Sequence, residues 1–238
     1  MNTHHRKRRL AACVTAAALA LVTLGVAAHA NADPGVFNPG SQPFGASFEE
    51  WTAEWWQLML SIPTPDNPLT DATGENCMVG QRGPVWFLAG SFGGGATTRS
   101  CSIPEGKAIF FPVLNVVDVN TTTQTTRELR AETAPCLTAA STLLAEVDGE
   151  PVENLFGQYR VRSRVFEITL PSDSLFSFAL PAGTYSPAID DGFYVMLKPL
   201  ELGDHTLHIV GASSGCPLNG GPFGVDVTYD LTIVPVER

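Results

Sequence analysis

Apolar and polar residues follow different periods in the two parts of this chain. Between Phe48 and Met59 the apolar residues recur every three or four positions, which predicts an amphipathic helix. From residue 143 onward, short apolar or alternating segments are separated by turn residues, which predicts β-strands. Strands and helices do not alternate regularly, which argues against Rossmann and TIM-barrel architectures. We expect an α+β, mainly β fold: an antiparallel β-sandwich with an N-terminal aromatic-rich helix and a mid-chain helical segment.

The first helix has a clear start and stop in the sequence. Ser47 at the N-cap and Glu50 three residues later form a capping box, and the helix is expected to continue to Leu60, before Pro63. Three of the four tryptophans fall in this helix: Trp51, Trp55 and Trp56. We interpret them as core side chains, although Trp56 lies off the apolar stripe. The alternative is a stacking platform for a sugar or another flat ligand.

The segment after this helix predicts two short buried strands and long loops. Residues 63–84 are rich in Pro, Gly, Asp and Asn, which indicates a loop. Residues 85–89 and 108–114 are continuous apolar runs typical of buried strands. We expect the segment between these two strands to be a loop.

A second helical stretch is predicted in the middle of the chain. Thr125 and Glu128 form another capping box at its start. Pro135 removes a backbone donor inside a helix, so we expect two helical pieces between residues 126 and 144.

Seven segments of the last part of the chain are predicted to be strands: 143–147, 152–155, 159–170 with an irregularity near 165, 175–178, 193–197, 205–210 and 225–234. The Asp148–Gly149 pair is typical of a type I′ hairpin turn between the first two. Residues 193–197 are apolar on both faces, which predicts a central strand. Asp190 and Asp191 precede a glycine and are expected in a turn before that strand.

The first thirty-two residues have the three-part pattern of a secretory signal peptide. A basic cluster at residues 6–9 precedes an uncharged run of 19 residues, 10–28, and two small-x-small cleavage sites follow. A retained membrane anchor is the alternative, because 19 residues nearly span a bilayer. We therefore divide the chain into a signal peptide (1–32), an extended lead-in (33–46), a part with a helix, long loops and short buried strands (47–142), and an antiparallel β-sandwich half packed on it (143–238).

The charge of the mature chain limits its partners. With the four bases of the leader removed, ten Lys and Arg residues remain beside 24 Asp and Glu, giving a net charge of −14. This charge opposes binding to nucleic acids and to anionic membrane surfaces. Arg160, Arg162 and Arg164 would share one face of a strand, which we interpret as solvated. We expect a secreted or periplasmic, cell-envelope protein without stable membrane insertion after cleavage.

Four cysteines remain after Cys13 leaves with the leader: Cys77, Cys101, Cys136 and Cys216. An even number in an exported chain predicts two disulfides, and three pairings are possible. We favour Cys77–Cys101, because these two are close along the chain, together with Cys136–Cys216. The closely spaced ligand pairs of a zinc site are missing from the sequence, so we predict neither a metal site nor a cofactor.

Catalytic motifs are weak. Residues 89–93 are one residue away from the G-x-S-x-G nucleophile elbow, but glycines follow Ser91 where that motif needs a helix. The residues that could support a hydrolase, through a Ser/Asp/His arrangement or an acidic cluster, are Ser91, Asp190, Asp191, Asp204 and His205. This hydrolase on a β scaffold is our alternative hypothesis for the function.

Five motifs carry a family resemblance: residues 86–90 (WFLAG), 99–101 (RSC), 106–112 (GKAIFFP), 191–200 (DGFYVMLKPL) and 203–206 (GDHT). Together they resemble a set of uncharacterised exported bacterial proteins, over most of residues 47–212. No activity is established for that set, so it assigns no functional residue. Residues 199–208 are also similar to the approach to the last strand of Ig-like extracellular modules, which implies an Ig-like C-terminal half. Our main hypothesis is a non-catalytic envelope or extracellular binding module, with a carbohydrate or cell-envelope component as a candidate ligand.

Overall fold

The computed structural model describes residues 35–92 and 95–236. The predicted signal peptide lies outside the described residues. Among the helices that are described, none has the length and apolar character needed to cross a membrane.

The described residues form three α-helices: α1 (Phe48–Ser61), α2 (Thr126–Thr138) and α3 (Leu155–Gln158). Both predicted capping boxes are confirmed. At the start of α1 the Glu50 amide donates to Ser47 Oγ, and the Ser47 amide donates to Glu50 Oε2. The prediction that Pro135 divides the second helix is wrong, because this proline lies in the last turn of α2, where little helix remains to be divided.

Within the described ranges there are ten strands: β1 (Val85–Phe87), β2 (Thr97–Pro104), β3 (Ala108–Val119), β4 (Ala140–Val147), β5 (Glu150–Pro151), β6 (Arg160–Arg162), β7 (Phe166–Leu170), β8 (Gly183–Leu197), β9 (Gly203–Cys216) and β10 (Gly221–Val234). The first sheet has the order β1-β3-β8-β6, with β7 also paired to β8. The second sheet has the order β2-β10-β9-β4-β5. This part of the chain is therefore mainly β, with two sheets of five strands and three helices.

The sheets are mixed, so the expectation of purely antiparallel sheets is wrong. β1 runs parallel to β3 and β2 runs parallel to β10, whereas the other pairs are antiparallel. The cause is the path of the chain. After β1 the chain leaves the first sheet to form β2 in the second, and then returns as β3 in the same direction as β1.

Several strand predictions need correction. β2 occupies a segment predicted as a loop, and the segment 175–178 lies in a turn instead of a strand. The predicted strand 159–170 is divided into β6 and β7. Asp190 and Asp191 lie inside β8, not in a turn, because a hydrogen bond from Trp56 and ion pairs with two arginines compensate the carboxyl groups. The predicted strand 152–155 is wrong, because the strand after the turn is β5 and Leu155 begins α3. The Asp148–Gly149 turn and the central position of residues 193–197 are confirmed.

The first sheet lies between α1 and the second sheet. One hydrophobic cluster combines side chains of both sheets, including Phe111 and Val195 from the first and Leu207 and Tyr229 from the second. A second cluster packs α1 against the opposite face of the first sheet. The backbones of the two sheets approach closely at Gly211, where a Cβ atom would overlap the carbonyl oxygen of Val113.

Both favoured disulfides are confirmed. Cys77–Cys101 joins the long loop before β1 to β2, with 5.9 Å between the Cα atoms. Cys136–Cys216 joins α2 to the end of β9. Two disulfides fit a protein that folds in an oxidising compartment.

Candidate functional site

A cleft opens where the edge strands of the two sheets end. β1 pairs with β3 only as far as Phe110, and β2 pairs with β10 only from Val227 onward. Beyond these positions no strand of the described residues covers the edge of β3 or of β10. Residues 90–92, in the segment that follows β1, border the same opening. The cleft has a volume of about 530 Å³.

The wall of the cleft is mainly apolar. Its larger apolar side chains are Trp56, Leu69, Phe92, Phe176, Leu218 and Phe223. Phe92 contacts Phe176 edge to face, with 5.8 Å between the ring centroids. The polar side chains of the wall are Ser91, Asn115 and Asn219, and no described wall residue carries a titratable group. This composition is typical of sites for small, mostly apolar molecules.

A buried Arg99 fixes the chain segment beside the cleft. From β2 its Nη1 donates to the carbonyl oxygens of Ala89 and Gly90, at 3.1 and 3.0 Å, and to the Tyr229 hydroxyl at 2.9 Å. The Tyr229 hydroxyl donates to the same Ala89 oxygen at 2.7 Å. The guanidinium is almost completely buried, so these contacts replace its lost hydration and hold the segment in one conformation.

Behind the wall, a hydrogen-bonded chain connects two cleft residues to Asp190. Trp56 Nε1 donates to Asp190 Oδ1 at 2.7 Å, and the Tyr194 hydroxyl donates to the same oxygen at 2.7 Å. Asn115 Nδ2 in turn donates to the Tyr194 hydroxyl at 2.9 Å. Trp56 and Asn115 are therefore positioned by one carboxyl group in the core.

Asp190 is fully buried, and its surroundings favour the neutral acid. Burial raises the pKa of this carboxyl well above its ordinary value; the hydrogen bonds from Trp56 and Tyr194 oppose the rise, and the nearby Asp191 charge adds to it. Its second oxygen, Oδ2, is buried without a partner. Burial also raises the pKa of Tyr194, so this hydroxyl keeps its proton and remains a donor.

Asp191 is not part of the cleft. Arg160 holds this carboxylate through two bonds of 2.9 Å, and Arg162 Nε lies 3.2 Å from its Oδ2. The interpretation of the arginine face as solvated is wrong for Arg160, which is mostly buried against the 2% exposed Asp191 side chain, whereas Arg162 is exposed as predicted. Arg164 pairs with Glu50 at the protein surface.

The five residues of the hydrolase hypothesis do not meet. His205 contacts Asp148, with 2.7 Å between Nδ1 and Oδ2, and Asp204 accepts a hydrogen bond from Thr232. His205 lies opposite Leu231 of β10, whereas Gly90, the neighbour of Ser91, lies against Val225. Val225 and Leu231 are six residues apart on the extended strand β10, so Gly90 and His205 lie about 20 Å apart along that strand.

Ser91 borders the cleft, but its hydroxyl is not available there. Ser91 Oγ is inaccessible to solvent and makes no hydrogen bond with the described residues. Asp190 lies behind Trp56 and is equally buried. A nucleophile needs both access to its substrate and a base in contact, and the described residues supply neither.

The three tryptophans of α1 differ in their relation to the cleft. Trp51 and Trp55 are buried, and their ring nitrogens donate to the carbonyl oxygens of Pro43 and Leu88. They present no exposed face on which a sugar could stack. Trp56 is also buried, but one part of its ring lines the cleft.

Sequence reasoning missed Asn115 and the phenylalanines of the wall. Asn115 is the only strongly polar residue in the apolar run 108–117, and a lone amide in a buried strand is a usable signal. Phe92 and Phe176 lie in irregular segments and Phe223 near the start of β10, so the apolar pattern gave no sign that these three side chains share one wall.

No group of three or more His, Cys, Asp or Glu side chains within the described ranges is placed to hold a metal ion. Comparison with family models, with curated proteins and with solved structures finds no match to this chain. The resemblance to exported bacterial proteins stays a prediction.

Proposed function

We propose that this chain is a secreted, non-catalytic binding module that takes a small, mainly apolar molecule into the cleft between its two sheets. The observation that carries the proposal is the cleft of about 530 Å³, walled by aromatic and aliphatic side chains. Ligand pockets in proteins typically combine this size with a few placed polar groups. The rigid segment held by Arg99 and the chain of hydrogen bonds from Asp190 support a cleft that exists before the ligand arrives.

Secretion and a sandwich architecture are parts of the same proposal. The two disulfides support an oxidising destination, as does the predicted leader. The hydrophobic cluster shared by both sheets supports a sandwich, with α1 as an additional layer.

An apolar ligand is favoured over a carbohydrate or a hydrolysed substrate. A sugar carries many hydroxyl groups, and most of them would lose their hydrogen bonds against this wall. A hydrolase is not supported, because Ser91 Oγ is buried and has no base among the described residues.

The proposal is tested with N-phenyl-1-naphthylamine, a dye that fluoresces in apolar surroundings, titrated into the mature chain, residues 33–238. We expect saturable binding at one site. Phe176→Ala removes an aromatic wall residue and should weaken binding roughly tenfold, the effect of one buried ring.

Phe156→Ala is the matched control. Phe156 is 55% exposed, its ring contacts Phe193, and it is not part of the wall. Its replacement should leave the affinity unchanged. No saturable binding, or equal weakening by both substitutions, would contradict the proposal.

A further inference from the structure

We propose that Asn115 presents its carboxamide oxygen to the cleft and so selects apolar ligands that carry an O–H or N–H donor. This inference rests on the proposed function and names the chemistry of the ligand. It follows from the direction of the hydrogen bonds behind the wall.

The direction of the chain is fixed at its buried end. The indole N–H of Trp56 can only donate, so Asp190 Oδ1 accepts. The Tyr194 hydroxyl lies 2.7 Å from the same oxygen and uses its single proton there. The Tyr194 oxygen is then left as an acceptor, and Asn115 must offer it the NH₂ side of its amide, at 2.9 Å.

The ionised form of Asp190 sets this direction, because both of its oxygens can only accept hydrogen bonds. The neutral form keeps the same direction when its proton is on Oδ2, the oxygen without a partner, since Oδ1 then still accepts from Trp56 and Tyr194. In both of these states Asn115 has the same orientation.

The carboxamide oxygen of Asn115 is the polar group of the wall that is free to accept a hydrogen bond from a ligand. Asn115 lines the cleft, and its Oδ1 accepts no hydrogen bond from the described residues and is not sealed from solvent. The other polar wall groups do not compete for this role. Ser91 Oγ is buried, and Asn219 lies at the exposed rim with its Oδ1 accepting from the Gly221 amide.

The ligand class is therefore an apolar, ring-sized body with one hydrogen-bond donor, such as a phenol or a hydroxylated hydrocarbon. The apolar part would contact Phe176 and Phe223, and the donor would bind Asn115 Oδ1. A molecule with only acceptors would leave this oxygen dehydrated and unpaired, which costs binding free energy.

The test compares 4-phenylphenol with 4-methoxybiphenyl, which has the same body without the donor. Each dissociation constant is measured by displacement of N-phenyl-1-naphthylamine from the mature chain. We compare the ratio of the two dissociation constants in the wild type with the same ratio in each variant. The hydration of the free ligands is identical in all titrations, so it cancels in this comparison. We expect the preference for the phenol to be roughly fivefold to tenfold larger in the wild type than in Asn115→Leu, the effect of one hydrogen bond.

Tyr194→Phe tests the positioning of the amide. Without the Tyr194 hydroxyl, the NH₂ group of Asn115 is free to turn toward the cleft, so the preference for the phenol should fall although Asn115 is still present. A loss of packing alone would weaken both ligands equally and leave the ratio unchanged. Asn219→Leu, at the exposed rim, is the control and should keep the wild-type ratio.

The outcomes separate this inference from the proposed function. If both biphenyls bind but the ratio is the same in the wild type and Asn115→Leu, the inference is wrong and the binding module stands. If Asn115→Leu lowers the ratio and a folded Tyr194→Phe does not, the orientation is not set through Tyr194. If the dye binds saturably but neither biphenyl displaces it, the inference is wrong and the binding module stands. If the dye does not bind, both proposals are overturned.

Discussion

At the scale of single residues, Asp190 organises the candidate site without touching the cleft. Its Oδ1 is the only acceptor that the structure gives to Trp56 Nε1 and to the Tyr194 hydroxyl within the described residues. Burial raises the pKa of this carboxyl well above its ordinary value, and Oδ1 is the oxygen that accepts both hydrogen bonds.

This role predicts different effects for two substitutions. Asp190→Asn keeps a carbonyl oxygen for both donors and adds no charge, so the free energy of unfolding at pH 7 should stay within about 1 kcal/mol of the wild type. Asp190→Leu leaves two buried donors without an acceptor and should cost about 2–4 kcal/mol. Urea denaturation measures both values. Equal losses in the two variants would mean that Asp190 acts through a negative charge.

At the residue scale, hydrogen bonds between residues close in the sequence were predictable, whereas hydrogen bonds between residues far apart in the sequence were not. The caps at Ser47 and Thr125 depend on residues three positions away, which the sequence displays directly. The partner of Asp190, Trp56, is 134 positions away. Sequence alone could therefore not distinguish a buried, compensated carboxyl from one in a turn.

At the scale of elements, a pair of carboxyl groups joins β3 to α2. Asp118 of β3 faces Glu132 of α2. Burial raises the pKa of Asp118 to about 6; the Val119 amide opposes this rise, and the Glu132 carboxyl adds to it. Asp118 Oδ2 is buried without a partner.

The packing of these two elements is therefore predicted to depend on pH. In the folded protein the pKa of Asp118, about 6, lies above its ordinary value of 3.8, so the folded state binds this proton more tightly than the unfolded state. The contribution of Asp118 is most favourable below the ordinary pKa and is lost as the pH rises to about 6.

Asp118→Asn, a neutral side chain of the same shape, removes this dependence. Its free energy of unfolding, compared with the wild type, should increase from pH 4 to pH 6 and then stay constant. Urea denaturation across this range is the measurement, with Asp66→Asn as the exposed control. If the free energies of unfolding of Asp118→Asn and the wild type change in parallel with pH, the pKa of Asp118 is not raised as described.

Helix α1 and the long apolar strands were predictable as elements because each buries a regular pattern of its own residues. β2 was not, since its sequence, TTRSCSIP, places polar residues on both faces. Arg99 is buried in this strand only because carbonyl oxygens of the neighbouring segment and the Tyr229 hydroxyl surround its guanidinium. Such compensation depends on tertiary structure and leaves no periodic signal.

At the scale of the whole molecule, the approach of the two sheets is set at Gly211 on β9. A Cβ atom there would overlap the carbonyl oxygen of Val113 on β3, so any larger residue must separate the sheets. The same packing brings the open edges of β3 and β10 into one cleft.

Gly211→Ala is therefore predicted to destabilise the protein by about 1–3 kcal/mol, the usual cost of overpacking a core. Gly215→Ala, four residues further along β9, is the control, because a Cβ atom at that position meets nothing. Thermal and urea denaturation measure the difference. Similar stabilities for the two variants would show that the sheets do not meet as described.

The cleft itself could not be predicted from the sequence. Its wall combines residues from α1, β3, the turn at Phe176 and the β9–β10 hairpin, segments far apart in the chain. The composition, the cysteines and the strand pattern predicted a stable β-rich molecule with two disulfides. The cleft exists because β1 is short and β2 starts late, and neither length is encoded in an apolar pattern.

The most direct test of this account is a crystal structure of residues 33–238 with bound 4-phenylphenol. The account predicts the biphenyl between the apolar walls of the cleft, with its hydroxyl donating to Asn115 Oδ1. A ligand bound elsewhere, or a well-ordered protein whose cleft stays empty at saturating 4-phenylphenol, would contradict it.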